Sequence, residues 1–187
     1  PIQSKVAISA VDVNGAQLNL LEIPHWNFNI VLKQNQAKWN DLLGRILIRD
    51  DAEHERKTIF YTALYHTLIA PNLFQDRDGR FRGMDNMIHK NESHTRYTVF
   101  SLWDTYRATH PLYQLIYPEY NKEFIHTFLQ MSKEHGRLPV WELASNETDC
   151  MIGYHSVSVM ADAMAKGIKG FDYEKAFIAS KHSAMLD

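Results

Sequence analysis

Residues 28–46 read Phe28-Asn29-Ile30-Val31-Leu32-Lys33-Gln34-Asn35-Gln36-Ala37-Lys38-Trp39-Asn40-Asp41-Leu42-Leu43-Gly44-Arg45-Ile46. Within them Phe28, Val31, Leu32, Trp39, Leu42, Leu43 and Ile46 recur at the three-and-four spacing that lines one face of a helix. This spacing predicts a helix over 27–45. The same period returns downstream. Asp50-Asp51 can cap a second helix, with Glu53 and Glu55 in its positive first turn. Its apolar face is Ile59, Phe60, Ala63, Leu64 and Leu68, and Pro71 limits it. Further helices are expected at 101–116, 119–135, 155–167 and 173–186, with Gly136, Gly167 and Gly170 at plausible ends. Six helices make the chain mainly α.

Upstream the period changes. Val6, Ile8 and Ala10 alternate with Lys5, Ala7 and Ser9, the pattern of a half-buried strand whose sheet partners must lie elsewhere, because one strand alone is unstable. Residues 72–99 lose the helical period and carry turn formers: Asp76-Arg77-Asp78-Gly79, then Gly83, Asp85 and Asn86. A long loop with a short hairpin is expected there. With 136–153 also long and rich in polar and aromatic residues, the helices pair with their long loops at one end, the layout of a helical toroid with its site at that end.

Composition excludes several functions. A net charge of −2 gives no basic field for a nucleic-acid backbone, and no apolar run reaches the roughly 18 residues that cross a bilayer as a helix. The lone Cys150 rules out an internal disulfide and any zinc site of several thiolates. Neither HExxH nor a paired His-x-x-His occurs, and Asp76-x-Asp78-Gly79 lacks the later acidic positions of an EF-hand loop.

Three segments stand out: FYTALYHTLIAPNLFQDRDGRFRGMD (60–85), YTVFSLWDTYRATHPLYQLI (97–116) and GRLPVWELASNETDCMIGYHSV (136–157). In this order they resemble glycoside hydrolase family 92, the calcium-dependent exo-α-mannosidases. The resemblance implies an N-terminal β-sandwich followed by an (α/α)6 catalytic barrel, and inverting, calcium-assisted removal of terminal mannose from glycans, with α-1,2 linkages as the expected target. Residues 1–20 would then be the end of the sandwich and a linker, and 21–187 the N-terminal part of the barrel. The family's general-acid and base motifs do not occur here, so the chain is expected to be an incomplete, inactive part of the enzyme, with no calcium ligand assigned to it. Export to the periplasm or cell surface is a family inference. The expected partners are a mannose-containing oligosaccharide or glycoprotein glycan and the remainder of the enzyme.

By the same resemblance Trp103, Asp104, Arg107 and Glu142 are candidate substrate-binding residues. Each has a structural rival. Ser101-Leu102-Trp103-Asp104 also fits an S-x-x-D capping box; Trp103 can fill core; Arg107, one turn on, can pair with Asp104. Glu142, flanked by Trp141 in a loop, is the runner-up acid if its pKa is raised, and otherwise a carboxylate receiving hydrogen bonds from the Asn146–Asp149 turn. Asp149 and His155 resemble family positions, but a helix-start aspartate and a satisfied histidine are the commoner explanations. Two other readings stand beside this one. One is a different (α/α)-barrel carbohydrate-active enzyme using Glu142 as its acid; the other is a helical interaction module whose aromatic residues are all core.

Overall fold

The longest helix begins at Pro118, where a missing backbone N–H costs nothing, and ends against Gly136, whose φ of 85° is open to glycine without strain. Its buried face is Asn121, Phe124, Ile125, Thr127, Phe128 and Met131. Around it the computed structural model, which describes residues 2–49 and 54–186, arranges the other elements in this order. Helices α1 (Val13–Leu20), α2 (Phe28–Leu43) and α3 (His54–Thr67) come first; strands β1 (Asn72–Leu73), β2 (Arg80–Arg82), β3 (Ile88–Lys90) and β4 (Tyr97–Thr98) follow. Then come α4 (Leu102–Thr105), α5 (Thr109–Ile116), the long α6 (Pro118–His135), β5 (Glu142–Leu143), β6 (Asn146–Glu147), α7 (His155–Ala165) and α8 (Tyr173–Ala184).

Helix α6 packs against α5, α7 and α8, and their shared core is Phe100, Leu102, Tyr113, Tyr117, Phe124, Ile125, Phe128, Met131, Val159 and Met160. Truncating one of its fully buried phenylalanines, such as Phe128, would cost about 3–5 kcal/mol. The chain is mainly helical, as its periodicity predicts, but three expectations are corrected and one helix is new. Val6–Ala10 forms no ladder among the described residues, and Val6 and Ile8 stand 81% and 84% exposed. Alternation supplies an apolar edge but no partner, and polar links hold the segment instead: Lys5 Nζ donates to the Ile23 carbonyl at 2.6 Å, and Ser9 Oγ to Asp76 at 2.7 Å. Helix α1 was not expected; Asp12 caps it by accepting from the Gly15 N–H at 2.6 Å.

The expected helix at 101–116 breaks into α4 and α5. A proline inside a continuous helix would lack the N–H and clash with the preceding turn, whereas restarting at Thr109 puts Pro111 in a first turn. The predicted face of α2 is only half used: Leu42, Leu43 and Ile46 pack on the core while Phe28 is 68% exposed. The proposed Asp50-Asp51 cap and Glu53 lie outside the described residues; Glu55 does sit in the first turn of α3.

The 72–99 loop is ordered by pairing. β1 and β4 close its base antiparallel, Asn72 opposite Thr98, and β2 and β3 form the expected hairpin inside it, Phe81 opposite His89. Asp76-Arg77-Asp78-Gly79 makes a turn, Gly79 N–H donating to the Asp76 carbonyl at 2.8 Å. The second long loop folds back through β5 and β6.

Candidate functional site

The end of β4 leads directly into α4, and the connection is strained. Val99 and Ser101 have φ of 64° and 49°, left-handed values that a β-branched residue in particular rarely takes. Across from them, Ala144 and Ser145, the two residues between β5 and β6, are also left-handed at 48° and 63°, the geometry of a two-residue hairpin turn without the usual glycine or asparagine. Strained backbone gathers at functional sites, and four of the left-handed non-glycine residues meet at this one junction.

Glu142 lies at its centre, 1% exposed. One carboxylate oxygen accepts from Thr98 Oγ1 at 2.7 Å and from the Ser145 N–H at 2.6 Å; the other accepts from the Val99 N–H at 3.2 Å. Thr98 Oγ1 in turn receives the Ala144 N–H at 2.8 Å. Arg82 ties the hairpin to β2: its guanidinium donates to the Ala144 carbonyl at 2.9 Å and its own carbonyl accepts from Ser145 Oγ at 2.6 Å. Burial pushes the Glu142 pKa up, and the hydrogen bonds from Thr98, Ser145 and Val99 pull against that rise. The donors to Glu142 are therefore Thr98, Val99 and Ser145, which corrects the expectation that the Asn146–Asp149 turn would supply them. That turn belongs to Glu147, which accepts from the N–H groups of Val140, Trp141 and Asp149 at 2.8, 2.8 and 3.1 Å.

Trp103 and Asp104, on α4, reach the surface, Trp103 with 36% of its area exposed. The expected capping box does not form. Ser101 is left-handed and makes no side-chain cap; its hydroxyl instead donates to the Asp104 carboxylate. Arg107 does not pair with Asp104 either: its guanidinium lies 5.0 Å from the centre of the Tyr106 ring. Tyr106 is also stacked on His155 at 3.8 Å with the planes 4° apart, which joins the end of α4 to the start of α7. Asp149 is not at a helix start; it pairs with Arg137. The structure thus brings Trp103, Asp104 and Arg107 to one short exposed stretch and sets Glu142 beneath it, bonded to the segment that leads there.

Among the described residues no group of three or more His, Cys, Asp or Glu side chains is placed to hold a metal ion. Asp76, buried, spends its carboxylate on Ser9 Oγ and Asn19 Nδ2, both at 2.7 Å. These residues do not fit the calcium that the resemblance implies. No described helix is long and apolar enough to cross a membrane.

Comparison with known structures gives the chain its class. The family GH92 α-mannosidase BT3965 from Bacteroides thetaiotaomicron matches at 45% identity and a TM-score of 0.91, over 96% of this chain and 24% of that one. A structure described as the same enzyme in complex with mannoimidazole matches at 45% identity and 0.90, over 95% and 23%. The family GH92 inverting mannosidase BT2199 from Bacteroides thetaiotaomicron VPI-5482 matches at 31% identity and 0.85, over 95% and 24%. No curated protein matches. The sequence profile of the Glycosyl hydrolase family 92 catalytic domain covers residues 15–187. The chain belongs to glycosyl hydrolase family 92, and it spans about a quarter of the length of the relatives it matches.

Proposed function

We propose that the complete enzyme to which this chain contributes is an exo-α-mannosidase that removes terminal mannose, α-1,2-linked in the first instance, from oligosaccharides and glycoprotein glycans with inversion. The observation that carries the reading is the match to mannosidase structures over nearly the whole chain, at up to 45% identity. In this reading residues 1–20 are the end of a β-sandwich and a linker, and 21–187 the N-terminal part of an (α/α)6 barrel. Calcium is a cofactor of the complete enzyme, which works in the periplasm or at the cell surface.

The chemistry of the rim supports a binding role. Inversion needs an acid and a base about 6.5–9.5 Å apart with water between them. Here the exposed carboxylate is Asp104, while Glu142 is enclosed and spends both oxygens on protein donors, so neither makes such a pair with the other. Asp104 accepts from sugar hydroxyls, Trp103 offers its ring to a pyranose face, and Arg107 donates to ring substituents. Acid and base come from elsewhere in the enzyme, and the 187-residue chain alone is inactive.

The test is hydrolysis of the four mannobioses by the complete enzyme, followed by NMR of the first-formed sugar. β-Mannose released fastest from the α-1,2 compound is expected. First-formed α-mannose sinks inversion, preference for another linkage sinks the α-1,2 assignment, and turnover by the 187-residue chain alone sinks the placement of acid and base.

A further inference from the structure

Val99 and Ser145, on opposite sides of the junction, are each held in the left-handed region, and each donates its own backbone N–H to the same side chain. Strained conformations persist only where their surroundings over-determine them. The surroundings shared by both sides are one carboxylate, that of Glu142, reinforced by Thr98, whose hydroxyl donates to Glu142 and accepts from Ala144, while Arg82 steadies the Ala144-Ser145 side alone. Two residues beyond Val99 comes Ser101, also left-handed, whose hydroxyl holds Asp104, and between them Leu102 roots α4 in the core at 1% exposure.

We propose that Glu142 is a positioning residue of the sugar-binding rim: by holding Val99 and Ser145 left-handed, it sets the direction in which α4 carries Asp104. The proposal rests on the sugar-binding reading of that rim. Glu142 transfers no proton, because a general acid must come within hydrogen-bond reach of the leaving oxygen, and its carboxylate is enclosed by its three donors. A carboxylate is required, since all three partners are donors at the two oxygens and an amide would turn an N–H toward at least one of them. Aspartate, one methylene shorter, does not span the same three groups.

The test compares wild type, Glu142→Gln, Asp104→Asn and the double variant in the complete enzyme. Glu142→Gln is expected to lower kcat/KM by about tenfold or more with both limbs of the pH–rate profile in place, and the double variant to lose no more than Asp104→Asn alone, within about twofold, because both act on one contact. Losses that multiply overturn the proposal, since Glu142 then acts apart from Asp104. Loss of a pH limb, or turnover restored by an aryl mannoside with a good leaving group, overturns it in favour of an acid. If Asp104→Asn alone leaves kcat/KM unchanged, the sugar-binding reading falls and this proposal with it; if Asp104→Asn is impaired and Glu142→Gln is not, only the positioning role falls. Should Glu142→Gln fold poorly, Thr98→Val removes the hydroxyl that reinforces the clamp. It must show the same non-additivity with Asp104→Asn, and Thr98→Ser must recover most of the loss; additivity or silence overturns the proposal.

Discussion

Arg96 and Glu134 form a buried ion pair through two parallel hydrogen bonds, Nη1 to Oε1 at 3.0 Å and Nη2 to Oε2 at 2.8 Å. The arginine side chain is fully enclosed and lies 4.8 Å from the Phe81 ring centre, while Glu134 also accepts the Met84 N–H at 3.0 Å. The pair fastens the 72–99 loop to α6. Removing one partner leaves the other charge buried, so Glu134→Gln should cost about 3–5 kcal/mol in chemical denaturation and open the loop to protease. Replacing both with apolar residues of similar size should cost much less. A single variant as stable as wild type would show that the pair does not hold the loop.

Gly15 reverses an ordinary rule. Alanine in place of glycine inside a helix normally gains about 0.5–1 kcal/mol. Here its Cβ would stand 2.0 Å from Asp76 Oδ2 and 2.7 Å from Ser9 Oγ. Gly15→Ala should therefore destabilise by about 1–3 kcal/mol, as overpacking does, and lower the melting temperature. In an Asp76→Ala background the cost should shrink, with only the Ser9 contact left to relieve. A stabilising Gly15→Ala in the wild-type background would contradict the contact.

His110 makes stability depend on pH. It is fully buried among Phe100, Tyr113, Phe124 and Phe128, and burial pushes its pKa down to about 4, with the Asn121 side chain working weakly the other way. From pH about 6.5, its ordinary value, down to about 4 the unfolded chain binds the proton and the folded chain does not, so stability is full above this window and falls within it. The loss attributable to His110 is at most about 3 kcal/mol. His126, also lowered by burial, adds in the same sense. Unfolding measured at pH 7.5, 5.5 and 4.5 should show this slope, and His110→Phe should flatten it; an unchanged slope in the variant would remove His110 as its source.

Helix α6 was legible because Pro118, Gly136 and the spacing of its apolar residues all agree. Helix α1 was not, because Asn14, Gly15 and Asn19 are poor helix formers and the helix depends on Asp12 and tertiary contacts instead. The β5–β6 hairpin carried no turn signature, since Ala144-Ser145 lacks the glycine or asparagine that usually marks such a turn. For that reason Glu147, five residues past Glu142, was passed over as the acceptor for its own turn. Trp103, Asp104 and Arg107 were placed by likeness to a family; their helical spacing did not hold, since α4 ends at Thr105 and Arg107 lies in the turn before α5. That Asp104 bonds a hydroxyl rather than a backbone amide depends on the left-handed turn at Ser101, which nothing in S-x-x-D foretells.

The isolated 187-residue chain should associate. Trp26, Phe28, Leu115, Phe177 and Ile178 are each more than half exposed, from 58% to 71%, and apolar side chains left open to water favour association. Sedimentation at several concentrations should show self-association, or thermal unfolding should be broad. A sharp melt of a monomer at all concentrations would contradict this.

Asp104 provides the most direct test of the rim. A carboxylate that capped α4 would be worth around 1 kcal/mol or less, but Asp104 accepts only the Ser101 hydroxyl at an exposed position, and asparagine retains an acceptor there. Asp104→Asn in the complete enzyme should therefore hardly move the melting temperature. Sugar hydroxyls donating to a carboxylate are another matter, because each charged hydrogen bond contributes roughly 1.5–3 kcal/mol. The loss should be about ten- to a hundredfold in kcat/KM. Ser101→Ala, which frees the carboxylate without removing it, should cost far less activity than Asp104→Asn. A lowered melting temperature with kcat/KM within about twofold of wild type would assign Asp104 to the fold rather than to the sugar.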